Sequence, residues 1–364
     1  MTIRNRRWLL CLLLMLAGAT LIGPVQAEDW RVAYSQDIYA WSGAMAVAEI
    51  TNDWNGTLKD GDDGFLWMQE VATVGYGPFS IGYVSRHHAE YEFPNALARG
   101  FYYEANDVEL DDRYEVEAEV RARHYQGEGL SLSWDFESAR ANQWSITPSI
   151  TWLRLYRLIW GDVSGTMNYL DADHWGGDLD VDYGYTEDKI PPARALDGRS
   201  YGDLYSLDLA FHWRWQNYQI DYQGYNLLAR IDWPDMPGTI ANKNWQYDNG
   251  ALTTDSDYFV YGYEFYDDRV LRPPRVHTLR QQYALTSELD ITLRSYLNRI
   301  RNGHELGLRW QPDTFAWTLA LDSKGEAFRV GMHHRRVQIE LLSESLNISR
   351  SRLLGVQFGV VLVF

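Results

Sequence analysis

Along most of the chain, apolar and polar residues alternate with a period of two. Val337, Ile339 and Leu341 share one face, with Arg336, Gln338 and Glu340 on the other. Phe315, Trp317, Leu319 and Leu321 oppose Thr318, Ala320 and Asp322. Leu207, Leu209, Phe211, Trp213 and Trp215 oppose Ser206, Asp208, His212 and Arg214, and Leu130, Leu132, Trp134 and Phe136 oppose Ser131, Ser133, Asp135 and Glu137. Successive side chains of a strand point to opposite faces, so this pattern predicts strands with one apolar and one polar side. About 16 such segments can be marked, with roughly 14 to 18 defensible, because strand boundaries read from a sequence are uncertain by a few residues. The apolar phase shifts between Trp152 and Leu153, which predicts a β-bulge there. Gln311-Pro312-Asp313-Thr314 and Lys324-Gly325-Glu326 predict hairpin turns. Stretches 188–203 and 231–256 carry Pro, Gly and Asp and predict longer loops.

The first 27 residues break this pattern. Arg4, Arg6 and Arg7 precede an apolar run from Trp8 to Leu16, and Val25-Gln26-Ala27 offers small residues for cleavage, so residues 1–27 read as a cleaved export signal. Cleavage would remove the single Cys, Cys11, and leave a mature chain without thiol or disulfide chemistry. It would also leave 30 basic against 50 acidic residues. Even the full chain carries a formal charge of −17, which argues against a nucleic-acid partner. No later stretch is long and apolar enough to form a transmembrane helix.

Alternation alone fits a soluble sandwich as well as a membrane barrel. The last strand separates them. Leu354, Val356, Phe358, Val360, Leu362 and Phe364 occupy one face, and the chain ends on that Phe. In this feature, the export signal and the strand pattern, the sequence resembles bacterial outer-membrane β-barrel proteins of the porin-like class. The resemblance implies that the barrel-assembly machinery reads Phe358, Val360, Leu362 and Phe364, and that outer-membrane lipid and lipopolysaccharide surround the protein. Trp144, Trp152, Trp213, Trp215, Trp310 and Trp317 on apolar faces agree, since such rings favour the membrane–water boundary. The expected architecture is an all-β, transmembrane, antiparallel up-and-down β-barrel. Residues 28–60 alternate poorly and are expected to be a periplasmic or plug-like segment, or an irregular strand. Residues 61–364 would form the barrel.

A lipid-facing apolar side leaves the polar side to line a lumen. Asp178, Asp180, Asp182, Asp208, Asp290, Glu305 and Glu340 are its candidate acids, and Arg214, Arg294, Arg309 and Arg329 its candidate bases. Acids outnumber bases on the lumen-assigned face as a whole, which predicts a channel for small hydrophilic solutes that prefers cations or neutral molecules. Mixed charges on facing walls could instead pair and close the lumen, as side chains fill small barrels.

Other chemistries fit less well. Three Asp on one strand face sit roughly 7 Å apart, too far for one ion without further ligands. The stretch from Lys59 to Gly64, with Glu70, places Lys59 and Gly61 where a calcium loop needs acids, so it reads as a turn. Gly198-Arg199-Ser200-Tyr201-Gly202 matches a hydrolase nucleophile elbow but lacks the strand-then-helix context. His87-His88 and His333-His334 are adjacent pairs that point to opposite faces and cannot chelate one metal. His212 near Asp208 could orient a general base, but spacing identifies no nucleophile. The expected protein has no cofactor, no metal and no catalytic residue. The alternatives are a barrel hydrolase acting on lipid or peptide, or a closed barrel with a structural or export-accessory role. Solute identity and oligomeric state are not fixed by the sequence.

Overall fold

The computed structural model describes residues 30–47, 57–106, 108–109, 114–138, 143–171, 174–187, 200–248, 251–253, 261–323 and 326–364. The expected signal at 1–27 lies outside them. Fourteen strands close a ring and three lie outside it. The ring strands of the first half are β1 (Trp30–Ser42), β2 (Asp63–Tyr76), β3 (Phe79–Glu92), β4 (Tyr114–Trp134), β6 (Gln143–Asp171), β8 (Gly202–Trp215) and β9 (Tyr218–Asp248). Those of the second half are β12 (Val276–Ala284), β13 (Leu289–Leu297), β14 (Asn302–Trp310), β15 (Phe315–Asp322), β16 (Phe328–His334), β17 (Val337–Ser343) and β18 (Leu353–Val363). Every neighbouring pair is antiparallel, and β1 closes the ring on β18 from Arg31↔Val363 to Trp41↔Leu353. The strand number therefore sits at the low end of the expected range.

Within the segment 28–60, Trp30–Ser42 is a wall strand, paired to β2 on its other side. Its alternation is hard to read because polar Gln36 falls on the outward face, where it donates a hydrogen bond to Glu70 (3.1 Å). Trp30 and Phe364 meet at one end of the barrel. Connections at that end are short, such as Gly77-Pro78, Gln216-Asn217 and Arg335-Arg336, and those at the opposite end are longer. Short turns beside these two residues and long loops opposite are the outer-membrane pattern, so Trp30 and Phe364 mark the periplasmic end. Gly77 has φ +55°, a left-handed conformation that a side chain would strain.

The outer surface is a lipid-facing belt. Ile81, Leu132, Ile150, Leu228, Leu306 and Leu319 are all exposed apolar wall residues. Below them, Tyr76, Phe79, Trp134, Trp215, Trp310, Phe315 and Phe364 form an exposed aromatic girdle at the periplasmic rim. A closed antiparallel ring leaves no strand edge to satisfy in hydrocarbon. The protein is an outer-membrane β-barrel.

Three strands, β7 (His174–Tyr185), β10 (Ala251–Thr253) and β11 (Tyr261–Leu271), lie outside the ring, and β5 (Phe136–Glu137) is a two-residue extension on β6. At the end away from the termini, β6 leaves β8 and pairs with β7, while β9 pairs with β7 and β11. This extracellular sheet carries one helix, α1 (Asn95–Ala105), on its outer face. Leu97 packs there with Val116, Ala118, Leu179, Val181, Tyr183 and Tyr185. Residues 231–248, expected as loop, are therefore strand. Pro234 is accommodated because it falls at a register shift opposite Asp267 to Arg269, where no ladder hydrogen bond is needed.

The phase shift at Trp152/Leu153 is not a bulge, since pairing runs unbroken through both residues. Leu153 and Leu155 point inward, into a buried cluster with Tyr125, Leu158, Leu204, Ile231, Trp233 and Met236. The apolar phase changes because the interior itself turns apolar towards the extracellular end. The bulge comes later, at Tyr156, the extra residue between Leu155↔Gly127 and Arg157↔Gln126.

Candidate functional site: a polar cavity under two arginine networks

The periplasmic half of the barrel encloses a cavity of about 1110 Å³. Asn217, Ser287 and Gln311, from three periplasmic turns, line its mouth, and Gln219, Gln223, Gln282, Gln338 and Gln357 are among its lining residues. Asp290 and Arg309 lie on its wall 3.3 Å apart, and Arg214 joins the lining. A glutamine amide both donates and accepts, so this lining offers hydrogen bonds of either sense without a dominant charge.

The roof is made of two charged networks. In the first, Glu340 is fully buried and accepts from Arg294 at 2.6 Å and from Arg329 at 3.2 Å. His333 Nε2 lies 2.7 Å from its other oxygen, and Arg280 3.9 Å from it. Arg329 also donates to both oxygens of Glu305, at 2.5 and 2.9 Å, and to the Tyr296 hydroxyl at 2.8 Å. Arg294 adds Tyr296 and Gln357. The strand pattern builds this directly: the five charged groups sit at inward positions of β12, β13, β14, β16 and β17, five of the six consecutive strands from β12 to β17.

In the second network, buried Arg86 on β3 donates to Gln69 (2.9 Å), Asn226 (2.8 Å) and Asp208 (2.7 Å). Its guanidinium lies 5.1 Å from the Trp67 ring and 5.6 Å from that of Tyr225. Asp208 further accepts from Ser206, Thr151 and the Asn226 backbone N–H. A bulge makes this possible: Leu207↔Leu228 is followed by Leu209↔Gly224, so three residues of β9 oppose Asp208 alone. Asn226, at its centre, has φ +56° and turns its amide inward, to the Tyr125 hydroxyl and the Pro274 carbonyl. Asn tolerates the left-handed conformation better than most residues.

Asp208, Arg214, Asp290, Arg294, Glu305, Arg309, Arg329 and Glu340 thus all lie inside the ring. Asp178, Asp180 and Asp182 do not. They sit on β7, exposed, in register with Thr166, Ser164 and Asp162 of β6. Glu115, Glu117 and Glu119 lie on the same extracellular stretch of β4. Much of the acidic surplus belongs to this outer sheet, and the transmembrane interior is close to balanced. Sequence reasoning missed Arg86 and Asn226. For Arg86 a signal existed, since Val84, Arg86, His88 and Glu90 alternate against outward Ile81, Tyr83 and Ser85; nothing in the sequence marks the bulge at Asn226.

His212 pairs with Asp221, not Asp208: its Nδ1 lies 2.6 Å from Asp221 Oδ1 across β8 and β9. Ser145 is its opposite neighbour on β6, but no hydrogen bond joins Ser145 to His212. Ser200 precedes β8, accepts from Trp233 Nε1 and has no helix after it, so no nucleophile elbow forms. Asp60 anchors a loop: hydrogen bonds from Arg99 and Asn95 hold its carboxyl below the usual range. No group of His, Cys, Asp and Glu among the described residues could hold a metal ion.

No protein-family model and no curated protein sequence matches the chain. Several solved barrels are similar at low identity and low TM-score. A TodX monoaromatic hydrocarbon channel deltaS2 mutant is similar at 8% identity and TM-score 0.35, covering 93% of this chain and 90% of that one. A Pseudomonas aeruginosa FadL homologue is similar at 10% identity and TM-score 0.28, covering 93% and 89%. The outer membrane protease OmpT from Escherichia coli is similar at 6% identity and TM-score 0.21, covering 95% and 100%. At these values the likeness carries no argument about substrate.

Proposed function

We propose that this barrel is a gated outer-membrane channel for small hydrophilic solutes. The observation that carries the reading is the periplasmic cavity of about 1110 Å³, lined by amides and roofed by paired charges, with the apolar cluster of the extracellular half lying beyond them. A purely structural barrel has little need of buried ion pairs, which often stabilise no better than well-packed apolar residues. A gate does gain, because charge pairs can exchange partners as a solute passes. The near balance of charges inside the ring imposes little preference between neutral and charged hydrophilic solutes. In this reading lipopolysaccharide and lipid bathe the belt, and the barrel-assembly machinery engages Phe364 with Phe358, Val360 and Leu362.

Liposome swelling with neutral sugars tests the proposal. Vesicles carrying the wild-type chain should swell slowly and those carrying Glu340→Gln faster, because removing the shared carboxylate frees Arg294 and Arg329 to separate. Equal, background-level swelling in both would leave a closed barrel in place of a channel.

A further inference from the structure

At the extracellular opening a second cavity, of about 340 Å³, is lined by Arg123, Arg272, Arg275 and Arg299 together with Trp160 and Pro274. We propose that this cavity is an anion-binding site, taking the carboxylate or phosphate group of a small solute at the outer mouth of the barrel.

The four arginines come from three separate places. Arg123 projects from β4 and lies 5.3 Å from the ring centroid of Trp160 on β6. Arg299 belongs to the β13–β14 connection. Arg272 and Arg275 flank Pro273-Pro274 in the connection between β11 and β12. Two consecutive prolines fix φ near −65° and offer no N–H, so this connector is stiff and presents its arginines at a set separation. It is also anchored to the interior, since the Pro274 carbonyl accepts from Asn226, which itself accepts from Arg86.

The charges do not cancel locally. Arg123 is held by Asp162 and by the Ala122 and Gly161 carbonyls. Arg299 is paired with Glu92, and its Nε lies 3.8 Å from Glu90. Arg272 and Arg275 are exposed, and no carboxylate among the described residues lies within ion-pairing distance of either. Two uncompensated guanidinium groups beside two compensated ones, around a volume fit for a small anion, form a receptor for a planar or tetrahedral oxyanion. Arginine forks match both shapes with paired hydrogen bonds. In a chain of net charge −17, a basic recess at the mouth is the opposite of what composition leads one to expect.

This site deepens the channel reading by adding an acidic group to the solute, but its test does not need conduction. Inorganic phosphate is titrated by calorimetry into the full chain in detergent, and lipid A retained through purification is measured by mass spectrometry. The variant is Arg272→Gln/Arg275→Gln, with Arg272→Lys/Arg275→Lys keeping the charge. Both positions are exposed, and an unchanged heat-modifiability shift on gels checks folding. We expect phosphate to bind the wild type and to lose about tenfold or more in the Gln variant, as charge-assisted hydrogen bonds require. The Lys variant should fall between them. Retention of lipid A that vanishes in the Gln variant would assign the same site to a lipid headgroup. If neither phosphate nor lipid A binds, or if binding is the same in the Gln variant, the proposal is overturned.

Discussion

Glu340→Gln is the most informative single substitution in the barrel. The carboxylate is fully buried and faces Arg294 at 2.6 Å, Arg329 at 3.2 Å, His333 at 2.7 Å and Arg280 at 3.9 Å. A unit charge pair about 4 Å apart is worth about 4 kcal/mol at an effective dielectric near 20. Most of that is offset by desolvation, and deleting one partner of a buried pair costs about 3–5 kcal/mol in practice. The present case should sit at the lower end. Arg329 keeps Glu305, Arg294 keeps Tyr296 and Gln357, and a Gln carbonyl can still accept one bond. The expected loss is therefore about 3 kcal/mol. Equilibrium unfolding in guanidinium, followed by tryptophan fluorescence in lipid vesicles, measures it. Asp182→Asn is the control: the residue is exposed on β7, 3.8 Å from Arg269, and its replacement should change stability by less than about 0.5 kcal/mol. If the two variants lose the same amount, the roof network does not hold the interior together as argued here.

Two further outcomes test the wall and the placement of charge. Leu319 is 59% exposed on the lipid side, so Leu319→Lys should cost about 2–4 kcal/mol if it lies near the midplane, whereas Gln338→Lys, on the wetted cavity wall, should be tolerated; equal folding free energies would invert the inside and outside faces. Replacing Asp178, Asp180 and Asp182 together by Asn in the Glu340→Gln background should leave the reversal potential in a salt gradient nearly unchanged, because β7 lies outside the ring. A marked loss of cation preference would place the conducting path along the extracellular sheet.

Much of the wall was legible in the sequence because a period of two is all that a half-wetted strand needs. The lumen residues followed from the same parity: once Ile339 and Leu341 face lipid, Glu340 must face in. Membership of the ring was not legible. The Leu179, Val181, Tyr183 and Tyr185 face of β7 alternates like any wall strand, yet it buries against α1 rather than lipid, so its aspartates were carried into the lumen with it. The Trp152–Leu155 stretch misled for the opposite reason. A strand that is apolar on both faces resembles a bulged one, and only pairing partners tell them apart. The Arg86–Asp208 contact joins positions 122 residues apart through a bulge that local pattern does not encode.

Single-channel recording in planar bilayers bears most directly on the gated-channel account. Wild-type protein should be closed for most of the record, with brief openings, and Glu340→Gln should hold open for long periods with little preference between cations and anions. Silence from both, with the barrel shown to be inserted, would contradict the account, as would a wild type that stands open with a conductance Glu340→Gln does not alter.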